Sequence, residues 1–405
     1  MTVFDKTMSE VREYRAWWPR ESRRSVWLLF VLGAALALLL CGTADAARSR
    51  REPMPVAGPA TSAWITINAT TGEALGAQEP DRPGAPASMT KMMLALLVME
   101  AVRDGQLKLS DPVRTSRLAS KMGGSQVYLK EGETFSVEEM MAALLIGSAN
   151  DAAAALAERL DGNLSGAVQR MNERGAAMKL SATRFGSVHG LPPGPGQDGD
   201  VSTPRDMARL SQELVKFPEI LRWTSTPEAP FRNGSFVLRN SNHLVGSFPG
   251  ADGLKTGHFR EAGYNLAATA SRGNLRLISV VMGSPSNKDR FAEAARLLGQ
   301  GFSRYIEVTV VKAGIPLQPE IRLPRAGAAF HPVTTGDLKA LVLREQKETI
   351  RTSVDLYPGL RAPLGKGQQV GTLTVRISDR EIARAPVVAP VEVPRAFFWW
   401  LTPWR

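Results

Sequence analysis

Ser88-Met89-Thr90-Lys91 sets a hydroxyl and an amine three residues apart, where "PASMTKMMLALLVMEAV" (86–102) turns into an apolar helical pattern. Residues three apart share one face of a helix. A serine hydroxyl attacks a carbonyl poorly until a base takes its proton. A lysine in a dry cleft near other cations has the lowered pKa that such a base needs. At a helix mouth the Ser88 N–H is also an unpaired donor, able to receive a developing oxyanion. A plainer reading competes: Ser88 caps the helix, Lys91 snorkels from an apolar face, and Met92, Met93 and Met99 fill the core. The four residues alone do not choose between the two.

Two further stretches bear on the choice. Ser148-Ala149-Asn150 lies between "MMAALLIG" and "DAAAALAERL", so it forms a tight corner between two helices. A hydroxyl and an amide two apart can there project into one cleft, or serve only as a capping turn. Lys255-Thr256-Gly257 follows the turn-rich "FPGADGL" and starts a strand. A cation and a hydroxyl suit an anionic substrate end, and a glycine lets another backbone come close. As a bare tripeptide it is common.

Each pattern occurs once, in the order SxxK, SxN, KTG, and this ordered set is the signature shared by serine β-lactamases and penicillin-binding proteins. The chain resembles the low-molecular-mass penicillin-binding proteins of the serine-type D-alanyl-D-alanine carboxypeptidase family. The likeness runs through "GGSQVYLKEGETFSVEEMMAALLIGSANDAAAALAE", "GADGLKTGHFREAGYNLAATA" and "LRLISVVMGS", and "LRAPLGKGQQVGTLTV" resembles the family's C-terminal β-domain. It covers about residues 60–395. The resemblance implies that Ser88 is acylated with Lys91 as its base, and that Ser148 and Asn150 shuttle the proton and hold the substrate amide. It implies that Lys255, Thr256 and Gly257 form the carboxylate site, that the Ser88 and His258 N–H groups make the oxyanion hole, and that Arg276 helps hold the carboxylate. Ala149 departs from the family's usual glycine, which is tolerable if that backbone is not at positive φ. The loop before Ser202 lacks the expected aromatic residue. His189 and His258 raise a histidine triad, but no serine elbow motif accompanies them, and His189 reads as a loop residue.

The elements around these motifs follow from pattern. "SAWITINATTGEAL" predicts two strands about a Thr70-Thr71-Gly72 turn. Helices are predicted over 89–103, over 137–147 with a Ser136/Glu139 capping box, over 151–160, and over 204–216 with Thr203 as cap. Residues 189–202 are too rich in Gly and Pro for regular structure. A hairpin turning at 271–274 and a helix over 287–303 follow. From Tyr305, short strands at 306–314, 320–328, 338–346, 348–358 and 371–378 predict a small all-β domain. The expected fold is therefore α+β: a β-lactamase/transpeptidase-like domain over 61–304, an antiparallel sheet with helices plus a helical part, and then a β-rich domain over 305–394.

Residues 1–46 read as a signal peptide: Arg20, Arg23 and Arg24, an apolar run Val26–Cys41, then Ala44-Asp45-Ala46. An uncleaved anchor is the alternative. Residues 47–60 read as a linker, and the only cysteine, Cys41, lies in the segment expected to be removed, so thiol and metal–thiolate chemistry are excluded. No metal or organic cofactor is implied. Net charge is +11, without a ribonucleoprotein motif, so nucleic acid ranks last as a partner behind an anionic lipid surface or an acidic polymer. Residues 395–405 crowd Phe397, Phe398, Trp399, Trp400, Leu401 and Trp404 between arginines, the residue types of a bilayer interface. The expected protein is exported, held at the outer face of the cytoplasmic membrane, acts on peptidoglycan stem peptides and is acylated by β-lactams. A β-lactamase is the first alternative, weakened because no E-x-x-L-N loop lies in 151–254. A non-catalytic wall-binding protein is the second, and an endopeptidase is a near neighbour of the leading reading.

Overall fold

The computed structural model describes residues 62–194 and 199–397; the expectations for 1–46, 47–60 and 398–405 lie outside them. Strands β1 (Ala63–Asn68) and β2 (Ala74–Gln78) pair antiparallel. Their turn is fixed by the Asn68 carboxamide oxygen, which accepts from the N–H groups of Thr70 and Thr71, and by Gly72 at φ 71°. A single 3-10 turn, Ala87–Thr90, then leads into α1 (Lys91–Arg103), which is buried almost all round. The short strands β3 (Pro112–Arg114) and β4 (Thr134–Ser136) pair before α2 (Val137–Leu145). Helix α2 starts at the predicted capping box, with Ser136 and Glu139 satisfying each other's N–H groups. Such a cap contributes about 1 kcal/mol.

Helix α3 (Asn150–Asp161) is followed by α4 (Leu164–Ala177), which the sequence reading did not anticipate. Arg170, Glu173 and Arg174 blur the apolar stripe, and only Ala167, Met171 and Gly175 are buried. Helix α5 (Pro204–Leu214) has the predicted Thr203 cap, and the short α6 (Pro218–Thr224) was also unanticipated. A second small pair, β5 (Glu228–Phe231) and β6 (Phe236–Arg239), precedes the long strands β7 (Ala251–Phe259), β8 (Gly263–Arg272) and β9 (Leu275–Ser284). Helix α7 (Asn287–Arg304) closes this part.

The main sheet is antiparallel in the order β2-β1-β9-β8-β7. Its central strands are buried on both faces, which is why β8 and β9 read as near-continuous apolar runs. The period of two sorts their side chains: Ile65, Ala267, Ile278 and Val280 join the core with α1 to α5, whereas Trp64, Leu266, Leu277 and Val281 pack with Leu297 and Leu298 of α7. Strand β7 is left at an edge, facing the helical part. This is the expected α+β arrangement.

Strand β10 (Tyr305–Val311) opens the second part and pairs with β12 (Leu338–Leu343). A four-stranded sheet runs in the order β11-β15-β14-β13, where β11 is Val333–Thr334, β13 Ile350–Leu356, β14 Gln369–Ile377 and β15 Arg380–Val388. These sheets enclose their own apolar clusters around Val370, Leu373 and Val387, and around Val342 and Ile377. The strand expected over 320–328 is absent, leaving isolated bridges from Ile321 to Phe330 and from Ala326 to Arg395. Pro319 and Pro324 lack the N–H that a ladder needs. Strand β15 was unanticipated, because "REIARAPVV" mixes charge with a proline. Among the described residues no helix is long and apolar enough to cross a membrane.

Candidate active site

The turn carrying Ser88 is wedged between β7 and the loop at 186–191. A Cβ on Gly257 would lie 2.3 Å from the Pro86 carbonyl oxygen, and one on Gly190 (φ 79°) 2.0 Å from that of Ala87. Only glycine permits either approach, so two backbones close directly on the turn that carries Ser88. Asn265 of β8 ties down its entry, donating to the Ala85 carbonyl at 2.8 Å.

Lys91 lies one turn from Ser88 and is fully buried, with Nζ 2.9 Å from Ser88 Oγ and 2.7 Å from the His189 carbonyl oxygen. Burial holds its pKa well below the usual lysine range, and the charge of Lys255 pushes it further down, while Asp200 and Asp151 oppose. A lowered pKa favours the neutral amine, the form that can accept a proton from a neighbouring hydroxyl. The SxxK pattern is no simple cap: the capping positions are Pro86 and Thr90, and Ser88 lies inside the 3-10 turn with its hydroxyl on Lys91.

Ser148 occupies the α2–α3 corner at φ 59°, a conformation that costs a non-glycine residue of order 1 kcal/mol or more and clusters at functional sites. Ala149 beside it has φ −62°, so the missing glycine costs nothing. Asn150 opens α3. Its Nδ2 donates to the Gly123 carbonyl at 2.6 Å, whereas its Oδ1 is buried without a hydrogen-bond partner. A buried acceptor without a donor is costly, so Asn150 Oδ1 has capacity for an incoming N–H. Asp151 fixes the neighbouring segment, accepting from the N–H groups of Val127 and Leu129.

On the opposite wall, Lys255 is buried and its pKa is lowered to about 7 by burial and then by the charge of Arg290. Thr256 Oγ1 lies 2.6 Å from Ser241 Oγ. His258 is exposed, its ring stacked on Tyr264 at 3.9 Å. His189 is neutral, with its pKa lowered to about 4 by burial and then by Lys91, and its Nδ1 accepts from the Leu191 N–H. It braces the loop, as the sequence suggested.

Arg276 does not join this cleft. It pairs with Ser271 in the ladder, four residues along β9 from Val280, which faces Ala267 and through it Lys255. That is about 13 Å of strand. Its guanidinium is taken by Asp252 at 2.7 Å and by the Thr269 hydroxyl at 3.0 Å. The second cation beside Lys255 is instead Arg290 of α7, which donates to the carbonyls of Gly257 and Asn265. Its signal was in the sequence: Arg290 falls on the stripe of Ala294, Leu297 and Gly301, the buried face of the helix.

A serine within reach of a buried lysine of lowered pKa, an amide with an unused acceptor and a cationic far wall are the parts that a serine acyl-transfer enzyme with a lysine base needs. Comparison with known proteins agrees. Residues 51–286 match the family model described as D-alanyl-D-alanine carboxypeptidase, and residues 330–395 match that of the penicillin-binding protein 5 C-terminal domain. The D-alanyl-D-alanine carboxypeptidase DacF of Bacillus subtilis is 34% identical, over 90% of this chain and 93% of its own. Penicillin-binding protein 5 of Haemophilus influenzae superposes with a TM-score of 0.71 at 30% identity, over 84% of this chain and all of that one. Penicillin-binding protein D2 of Listeria monocytogenes, solved in its ampicillin-bound form, matches at 35% identity and a TM-score of 0.56, over 61% of this chain and 99% of that one. The chain belongs to the D-alanyl-D-alanine carboxypeptidase family.

Proposed function

We propose that this protein removes the terminal D-alanine from peptidoglycan stem peptides through an acyl-enzyme on Ser88. The observation that carries the reading is the 2.9 Å contact between Ser88 Oγ and the buried amine of Lys91. Lys91 Nζ takes the hydroxyl proton as Oγ bonds to the penultimate D-Ala carbonyl carbon. The oxyanion is held by N–H groups at the Ser88 turn and at His258 on edge strand β7. The proton passes by way of Ser148 to the departing amine, and the C–N bond breaks. Asn150 Oδ1 accepts the substrate amide N–H, and Lys255, Thr256 and Arg290 hold the free carboxylate. Water then cleaves the ester, with Lys91 again as base. β-Lactams enter the same sequence, but their leaving group stays attached.

Export and attachment belong to the same reading. The basic, apolar and small-residue blocks of 1–46 support export, and the aromatic residues of 395–405 support peripheral binding to an anionic membrane surface. The test is release of free D-alanine from a D-Ala-D-Ala-terminated peptide by the mature protein, alongside labelling by a fluorescent penicillin. Ser88→Ala is expected to abolish both while keeping the native melting transition. Undiminished covalent labelling of that variant would refute the assignment.

A further inference from the structure

Lys91 rests on a carbonyl, and something must hold that carbonyl in place. The segment 186–190, which carries His189, contains no helix or strand. Its backbone is instead gathered by one side chain, Asp200, which is only 7% exposed. Asp200 Oδ1 accepts the N–H groups of Gly186 at 2.7 Å and Ser187 at 3.0 Å. Asp200 Oδ2 accepts the Ser187 hydroxyl at 2.8 Å. That hydroxyl in turn accepts the Gly190 N–H at 2.8 Å, closing a ring around His189. Asp200 is itself anchored, because Val201 bridges to Arg184 and Ser202 to Gly84, four residues before the nucleophile. Among the described residues the carboxylate has no ion-pair partner. A buried anion without a cation is costly and is retained where it acts on a charge nearby.

Resting on the reading of Lys91 as the base, we propose that Asp200 is a positioning residue for acylation. It pins the His189 carbonyl that orients the Lys91 amine, and it supplies the negative charge that offsets the ammonium formed when Lys91 takes the Ser88 proton.

The charged groups around Lys91 are few. Lys255 on β7 disfavours its protonation, Asp151 on α3 and Asp200 favour it, and His189 in the loop is neutral. Burial raises the Asp200 pKa, and the hydrogen bonds from Ser187 and Gly186 oppose that rise. Replacing an anionic Asp200 by a neutral group removes one of the two stabilising charges, so Lys91 gives up its proton more readily. The acid limb of acylation, where Lys91 becomes protonated and inactive, then moves to lower pH.

The experiment is the second-order rate of acylation by a fluorescent penicillin across pH 5–10, for wild type, Asp200→Asn, Ser187→Ala and Lys91→Ala, with thermal melting of each. Asp200→Asn is expected to lower the plateau at least tenfold and to shift the acid limb to lower pH. Ser187→Ala removes the tie to Gly190 but keeps the charge, so its plateau falls several-fold with the limb unmoved. An Asp200→Asn plateau within twofold of wild type, or a limb that does not move, overturns the proposal. If Asp200→Asn fails to fold, the Ser187→Ala plateau decides, and an unchanged value overturns it. Lys91→Ala separates the two hypotheses: acylation at the wild-type rate in that variant sinks the base assignment and not Asp200's role alone.

Discussion

Gly257→Ala tests whether the cleft is set by backbone contact. The new Cβ would meet the Pro86 carbonyl oxygen at 2.3 Å, with Ala87 Cβ and the Met89 nitrogen both at 3.2 Å. None of these atoms is the end of a flexible side chain, so β7 and the Ser88 turn must separate. An ordinary contact starts near 3.4 Å, and the needed displacement is about 1 Å. A misplacement of that size in an active site costs on the order of 100-fold in rate, or about 3 kcal/mol of transition-state stabilisation. Overpacking also costs about 1–3 kcal/mol of stability, so the melting temperature falls by several degrees. The assay is penicillin acylation at saturation, together with D-alanine release, at a temperature where the variant is fully folded. Gly299→Ala, inside α7 with no atom within 4 Å of the new Cβ, is the control. It should keep full activity and gain up to about 1 kcal/mol of stability. Acylation by Gly257→Ala within threefold of wild type would refute the reasoning.

Lys91→Ala should reduce acylation about as far as Ser88→Ala, and the double variant no further, because nucleophile and base act as a unit; additive losses in a rate comparison would contradict this. Lys255, with its pKa near 7 in the free enzyme, loses its positive charge as pH rises through that value. Use of a free-acid peptide should therefore weaken above about pH 7 through KM, while a C-terminally amidated analogue, poor throughout, lacks that limb; identical profiles would exclude Lys255 from carboxylate binding. The penicilloyl-enzyme should persist over many catalytic cycles of peptide, since Lys91 alone must activate water against a retained leaving group, and rapid turnover of benzylpenicillin would favour the β-lactamase reading. Deleting residues 396–405 should release the mature protein from anionic liposomes in flotation without changing its turnover of soluble peptide, and equal flotation would move attachment elsewhere.

Local rules made much of the scaffold legible. The Ser136/Glu139 box, the Thr203 cap and the Thr70-Thr71-Gly72 turn are short-range devices, and each forms where the sequence places it. The α4 helix escaped because its buried stripe is three small or flexible residues, too thin against its charged face. At the site, the motifs located the residues that touch one another in sequence or across one turn, such as Ser88 with Lys91. The resemblance assigned Arg276 to the carboxylate, but Arg276 stands on β9, two strands from the KTG strand β7, and a ladder fixes position along its axis as well as membership. The register puts Arg276 at the far end, beside an acid that neutralises it.

Arg290 and Asp200 reach the centre from α7 and from the segment before α5, and neither lies next to any of the three motifs. Both are charged residues held where a helix face or a loop interior would ordinarily be apolar. A single sequence flags them only as misplaced charges, and their meaning depends on what faces them. Arg290 faces Lys255, so two cations share one wall and one of them is driven toward neutrality until a carboxylate arrives. Asp200 is one of the two anions acting on Lys91, where the proposed mechanism has a positive charge appear and vanish in acylation and again in deacylation. The two lysines thus sit in opposite settings: Lys255 beside a cation that favours capture of an anion, and Lys91 near anions that ease its transient protonation. Exchanging those surroundings would leave every motif intact and the chemistry disabled.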